Sequence, residues 1–235
     1  SPKVLNPDVV DAIQEDGGTI LGSSRGEQDP AVMVDTLMRL NINMLFCIGG
    51  DGTLRGAHAI AEEVKKRKQP ISIIGIPKTI DNDLNLIDRT FGFETAVLSA
   101  TDVITCAHNE ANGAYNGLGL VKLMGRDSGF IAAYAALATT VVNICLVPEV
   151  PFTLEGLCKA LESRYDNGKT HAVVAVAEGA GQELFNDQPE RRDASGNVLK
   201  NDIGEFLTRK IKEHFNKVGK EINIKYFDPS YMVRS

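Results

Sequence analysis

Two short polar stretches interrupt apolar runs in the first third of the chain: Gly49-Gly50-Asp51-Gly52-Thr53 and Pro77-Lys78-Thr79-Ile80-Asp81-Asn82-Asp83. Each follows a segment with the character of a buried strand. Placed before a helix, the first stretch offers free backbone N–H groups and the positive helix end to an anion. Its glycines carry no Cβ, so a phosphate can approach closely. Asp51 is suited to Mg²⁺, an ion that takes one or two carboxylates plus substrate oxygens. A plain turn with Thr53 as N-cap accounts for the same residues. No G-x-x-x-x-G-K-[ST] phosphate loop occurs. The second stretch sets two carboxylates beside a lysine. That pattern suits a base that removes a hydroxyl proton while a cation offsets charge on a transferring phosphoryl group. An Asn/Asp-rich turn bonding its own backbone is the structural alternative.

Two further groups follow later strands. Met124-Gly125-Arg126-Asp127-Ser128-Gly129 contains an arginine whose fork matches phosphate. Glu178-Gly179-Ala180-Gly181 offers a carboxylate to sugar hydroxyls. Singly, a helix-opening turn and a strand-end acid are ordinary structural features. Four such loops at successive strand ends are a pattern.

The elements that must position these loops alternate. Strands are expected at 18–22, 42–48, 71–76, 117–123, 142–147, 172–178 and 223–227, with continuous apolar character that suits cover on both faces. Helices are expected at 30–41, 54–68, 93–113, 127–138, 153–165 and 203–217. The order predicts an α/β fold with doubly wound, mainly parallel sheets, in two Rossmann-like domains, whose sites lie beyond the carboxyl ends of the strands. A boundary near residue 92 separates a phosphoryl-donor part, 1–92, from a sugar-phosphate part, 93–235. The polar segment 184–202 reads as a surface insertion or flap.

Composition narrows the function. The 235 residues are 43% hydrophobic and carry a net charge of −6, so no basic surface speaks for nucleic acid or anionic membrane. No apolar stretch approaches the roughly 20 residues of a membrane span, and the first residues lack a signal-peptide pattern. Cys47, Cys106, Cys145 and Cys158 form no C-x-x-C pair and read as buried, reduced thiols of a cytosol-like compartment. The first residue, Ser1, suits a processed or excised piece.

Assembled, these residues resemble the 6-phosphofructokinase family. The likeness runs through GGTILGSSRG, IGGDGT, PKTIDND, GFETA, LMGRDSGFIA, VPEVPF, AEGAGQ and DPSYMVR. It is strongest to the ATP-dependent enzymes of plants and trypanosomatids and to their pyrophosphate-dependent relatives. The resemblance implies phosphorylation of fructose 6-phosphate at its 1-hydroxyl, a glycolytic step. It makes Asp51 the Mg²⁺ ligand and Asp81 the general base, with Thr79 and Asp83 lining the reaction centre. Lys78 and Arg126 would steady the transferring group, and Met124, Gly125 and Glu178 would contact the sugar phosphate. Arg25 would reach the nucleotide phosphates, with Gly50, Gly52 and Thr53 beside them. Arg234 and Tyr231 would meet the sugar 6-phosphate, Tyr231 standing where bacterial enzymes carry histidine.

Two positions speak about the donor. Gly52 leaves room for the α-phosphate of ATP, where pyrophosphate enzymes carry aspartate. Lys78 stands where those enzymes also carry lysine. The plant and trypanosomatid combination of glycine and lysine favours ATP. The family's amino-terminal glycine-rich loop and closing helices lie outside this sequence, so the resemblance implies a partial chain. An arginine that bacterial members lend to a neighbouring subunit has no counterpart near Asn116-Gly117. A regulated homo-oligomer, commonly a tetramer, is implied; a glycosome or plastid is compatible besides the cytosol. NAD and diacylglycerol kinases also carry GGDGT after a strand but lack TIDND and MGR in this arrangement. A non-catalytic sugar-phosphate-binding subunit is the alternative from another class.

Overall fold

A computed structural model describes residues 2–22, 28–185 and 198–234. In chain order the elements are α1 (Pro7–Val10), α2 (Pro30–Arg39), β1 (Met44–Gly49), α3 (Asp51–Lys66), β2 (Ser72–Thr79), β3 (Phe91–Gly92), α4 (Phe93–Asn112), β4 (Gly117–Leu123), α5 (Phe130–Thr139), β5 (Ile144–Leu146), α6 (Leu154–Asp166), β6 (His171–Ala177), α7 (Ile203–Lys217) and β7 (Asn223–Phe227). They build two sheets, with strand orders β1-β2-β3 and β5-β6-β4-β7. Every pairing is parallel. None of the described helices is long and apolar enough to cross a membrane.

The second sheet is covered on both faces, as its unbroken apolar strands require. On one side Leu157 and Leu161 of α6 and Leu207, Ile211 and Phe215 of α7 pack on Leu118, Leu120, Val174 and Val176. On the other, α4 and α5 pack on Val121, Leu123, Val173 and Ala175. The small residues of α4 let it come close: a Cβ on Gly119 would stand 2.7 Å from the Ala107 carbonyl oxygen. Phe93, 1% exposed, opens α4 inside this core. Truncating so large a buried ring costs about 3–5 kcal/mol.

The first sheet differs from expectation. Val34 and Leu37 of α2 and Ile60 and Val64 of α3 cover one face. On the other face Met44, Phe46 and Ile48 remain 53%, 53% and 50% exposed, so the described residues do not cover β1 on both sides. The expected strand at 18–22 is a turn. Gly18 and Gly22 hold φ of +77° and +69°, outside the extended region of a regular strand. The cysteines are free, but only Cys158 is buried; Cys106 and Cys145 are exposed. Within the expected 184–202 insertion, residues 186–197 lie outside the described residues, and 198–202 return beside the ends of the second sheet.

Candidate functional site

Strands β1 and β2 run side by side, with Gly49 opposite Pro77, so the loops that follow them are neighbours. Helix α3 begins at Asp51, three residues earlier than its apolar period indicated. Its N-cap is Gly50, with an extended backbone and no capping side chain, so Thr53 is not the cap. Thr53 instead packs against the strand end: a Cβ on Gly49 would lie 2.2 Å from its Oγ1. Among the described residues no side chain caps the first turn, and the helix dipole adds positive potential there. A Cβ on Gly50 would stand 3.5 Å from Thr79 Cβ, which brings the two loops into contact. A Cβ on Gly52 would meet no atom within 4 Å. Asp51 is more than half exposed and pairs with Arg55, one turn on, at 2.9 Å.

The loop after β2 is built on Asn82. This residue is 8% exposed and holds a left-handed φ of +55°, a conformation that asparagine tolerates. Its Oδ1 accepts from the Thr90 N–H at 2.9 Å and its Nδ2 donates to the Asp88 carbonyl at 3.2 Å. Thr90 Oγ1 donates to the Thr79 carbonyl at 2.7 Å, closing the loop on its own strand. The two aspartates flank this inward-turned residue. Asp81 is partly buried and its N–H donates to Thr79 Oγ1 at 3.2 Å, whereas Asp83 and Lys78 are exposed.

The ends of β4 and β6 are likewise adjacent, and their loops hold each other. The Glu178 N–H donates to the Leu123 carbonyl at 2.9 Å and the Gly179 N–H to the Gly125 carbonyl at 3.1 Å. Met124 is buried. Gly125 has a φ of +130°, and a Cβ there would lie 2.4 Å from the Ser128 carbonyl oxygen. Only glycine makes that turn. Helix α5 starts at Phe130, later than expected, because Met124 to Gly129 form this tight loop. Its Gly129 N–H is taken by the Glu149 carboxylate at 2.8 Å, a cap supplied from a remote loop. Ser128 Oγ donates to the Asp81 carbonyl at 3.0 Å and so joins the loops of the two sheets. Arg126 is about one-third exposed; its Nη2 donates to the Val198 carbonyl and its Nε lies 3.8 Å from Asp127.

Three expected positions stand apart. Arg25 lies outside the described residues. Tyr231 is 87% exposed on the segment after β7. Arg234 closes a short 3-10 turn, Met232–Arg234, whose Val233 is buried against α4. Residues that the motif reading left unassigned do the joining: Asn82, Ser128, Glu149, Gln182 and Lys122. Gln182 Nε2 donates to the carbonyls of Glu178 and Asn201 at 2.7 and 3.0 Å, and its Oε1 accepts from the Asn201 N–H at 3.0 Å. Lys122 was visible as the one charge in the apolar strand GLGLVKL.

Residues 2–235 match the family model for phosphofructokinase. The chain belongs to the phosphofructokinase family. It is 53% identical over 239 residues to the ATP-dependent 6-phosphofructokinase of Borreliella burgdorferi, covering 98% of this chain and 54% of that protein. It is 50% identical to ATP-dependent 6-phosphofructokinase 7 of Arabidopsis thaliana, with 98% and 48% covered. To the ATP-dependent 6-phosphofructokinase of Trypanosoma brucei brucei it is 53% identical, with 93% and 45% covered. The chain thus spans about half the length of these curated relatives. Among solved structures, the fold matches a pyrophosphate-dependent phosphofructokinase from Marinobacter aquaeolei with a TM-score of 0.75 at 24% identity, covering 97% of this chain and 55% of that one.

For a phosphofructokinase site, the donor set at Asp51 decides whether a metal ion fits. Among the described residues no group of three or more His, Cys, Asp or Glu side chains is placed to hold a metal ion. A site for an ion caged by the protein alone is therefore not offered there. One exposed carboxylate beside an uncapped helix end and the open space at Gly52 fits Mg²⁺, which keeps most of its shell from water and substrate phosphates. The exposed Asp51–Arg55 pair is worth only about 0.3–0.5 kcal/mol and is a weak competitor.

Proposed function

We propose that this chain forms the catalytic part of an ATP-dependent 6-phosphofructokinase, which converts fructose 6-phosphate to fructose 1,6-bisphosphate. The observation that carries the reading is the junction of loops. The GGDGT loop abuts Thr79, and Ser128 ties Asp81 to the MGR loop. Donor-side and sugar-side residues therefore meet at one seam, which direct in-line transfer between two bound substrates requires.

In this reading residues 1–92 serve the phosphoryl donor and 93–235 the sugar phosphate. The α3 N-terminus, with Gly50, Gly52 and Thr53, receives donor phosphates, and Arg25 reaches them as well. The Asp51 carboxylate holds Mg²⁺, which supplies charge neutralisation on the donor when bound. Met124, Gly125, Glu178, Tyr231 and Arg234 bind the sugar phosphate and set its 1-hydroxyl before Asp81, with Thr79 and Asp83 lining the centre. The Asp81 carboxylate accepts the hydroxyl proton, and the sugar oxygen bonds to the γ-phosphorus as the bond to the leaving diphosphate oxygen breaks. Lys78 and Arg126 offset the charge on the equatorial oxygens. As the family resemblance implies, we take the protein to act as a homo-oligomer, a tetramer.

The empty surroundings of Gly52 favour ATP over pyrophosphate, since the α-phosphate needs space where an aspartate would stand. The exposed Lys78 favours the alternative, a pyrophosphate-dependent enzyme. The test is fructose 6-phosphate turnover by the intact protein with Mg²⁺, comparing the two donors. Turnover with ATP alone is expected. Turnover with pyrophosphate alone would overturn the donor assignment, and none with either donor would overturn the catalytic reading.

A further inference from the structure

Strand β4 carries a lysine where its neighbours are apolar. The Lys122 side chain is only 12% exposed, and its Nζ meets two carboxylates, Asp228 Oδ2 at 2.7 Å and Asp202 Oδ2 at 3.0 Å. Tyr226 adds its hydroxyl to Asp202 Oδ1 at 2.9 Å. Burial opposes the charge on all three ionised groups. Hydrogen bonding overrides it, raising the lysine pKa and lowering both aspartates. So little solvent reaches the ammonium that the cluster functions as a fixed joint, unlike an exposed ion pair.

The two carboxylates belong to separate segments at the ends of the strands. Asp202 ends the 198–202 segment and caps α7 through the Glu205 N–H at 3.0 Å. That same segment accepts Arg126 at the Val198 carbonyl, pairs Lys200 with Asp127 at 2.9 Å, and is held by Gln182. Asp228 opens the 228–234 segment, where it accepts from the Ser230 N–H at 3.1 Å. That segment contains Tyr231 and Arg234. One ammonium thus sets the spacing between the segment touching Arg126 and the segment bearing Tyr231 and Arg234, two residues that the proposed function gives to the sugar phosphate. A neutral side chain at 122 would leave two carboxylates facing one another with no cation between them, and repulsion would spread the segments.

We infer that Lys122 is a positioning residue of the sugar-phosphate half of the site, acting through Asp202 and Asp228 without touching substrate itself. The inference rests on the proposed function. Its reach differs from a general stability role. The joint ties together segments that the proposed function gives to the sugar phosphate, so its loss should weaken that substrate selectively.

The test uses the intact protein and its Lys122→Met, Lys122→Arg and Asp228→Asn variants. Steady-state kinetics in each substrate are paired with calorimetric binding of fructose 6-phosphate. Lys122→Met is expected to raise the fructose 6-phosphate KM and Kd about tenfold or more, as misplaced binding groups do, while the ATP KM stays within about threefold. Lys122→Arg restores most of the affinity, because it returns the cation. Asp228→Asn keeps the lysine and one carboxylate, so it decides the matter if Lys122→Met fails to fold; its sugar-phosphate KM is expected to rise about three- to tenfold. Unchanged sugar-phosphate KM and Kd in the folded variants would overturn the positioning role and leave the functional reading intact. A wild-type protein that neither binds nor phosphorylates fructose 6-phosphate would overturn the functional reading, and this inference with it.

Discussion

Ser128 Oγ donates a hydrogen bond to the Asp81 main-chain carbonyl at 3.0 Å, across 47 positions of sequence. This contact joins the loop that follows β2 to the loop that follows β4. The hydroxyl is buried, so water cannot replace it freely. Ser128→Ala should cost about 0.5–1.5 kcal/mol of stability, the net worth of one such bond. Because Asp81 loses an anchor, kcat should fall about three- to tenfold, more than either KM changes. Parallel thermal unfolding and steady-state kinetics check both figures. A stability loss with an unmoved kcat would show that the bond does not orient the base.

Gly52→Asp separates room from fold. The new Cβ meets nothing within 4 Å, and an acid in the first turn of α3 suits the helix dipole. Unfolding should therefore shift by no more than about 0.5 kcal/mol. The carboxylate would crowd and repel a donor phosphate, so the ATP KM should rise about tenfold or more. Equal ATP kinetics in a folded variant would remove the reason for preferring ATP.

Much of this architecture is legible in the chain itself. Strands β4 and β7 and helix α7 fall at their expected limits, because long apolar or amphipathic patterns dominate there. The loops are where local pattern gives out. Asn82 sits in the middle of TIDND, yet its inward turn depends on Thr90 and Asp88, residues the motif does not contain. The start of α5 depends on Glu149, 20 positions away, so no capping signal precedes Phe130. The period of α3 is visible, whereas its first turn is not: Asp51, Gly52 and Thr53 form helix without any apolar residue to mark it. The half-open face of β1 was missed for a related reason. A continuous apolar run tells which residues want cover, not whether the described residues supply it.

His171 should make stability depend on pH. Its ring meets His108 edge-on, with centroids 4.9 Å apart, and Thr170 Oγ1 lies 3.2 Å from its Nδ1. Burial first, then the neighbouring His108 and Arg164 charges, holds its pKa below the ordinary value. The folded protein therefore binds this proton less readily than the unfolded chain. The contribution is complete above about pH 6.5, the unfolded value, and is lost as pH falls through the lower folded one. The unfolding midpoint should hold above about pH 6.5 and drop as pH falls below it, and drop less in His171→Gln. An equal drop in that variant would assign the acid sensitivity elsewhere.

In the proposed function Asp81 takes the proton from the sugar 1-hydroxyl, and Asp81→Ser tests that role most directly. In the intact protein with Mg²⁺ and ATP, kcat should fall about 10²- to 10⁴-fold, the range general-base removal produces. Fructose 6-phosphate affinity, measured by calorimetry, should stay within about threefold, since that anion is bound by other residues. A kcat within about twofold of wild type would contradict the assignment of Asp81 and the mechanism built on it.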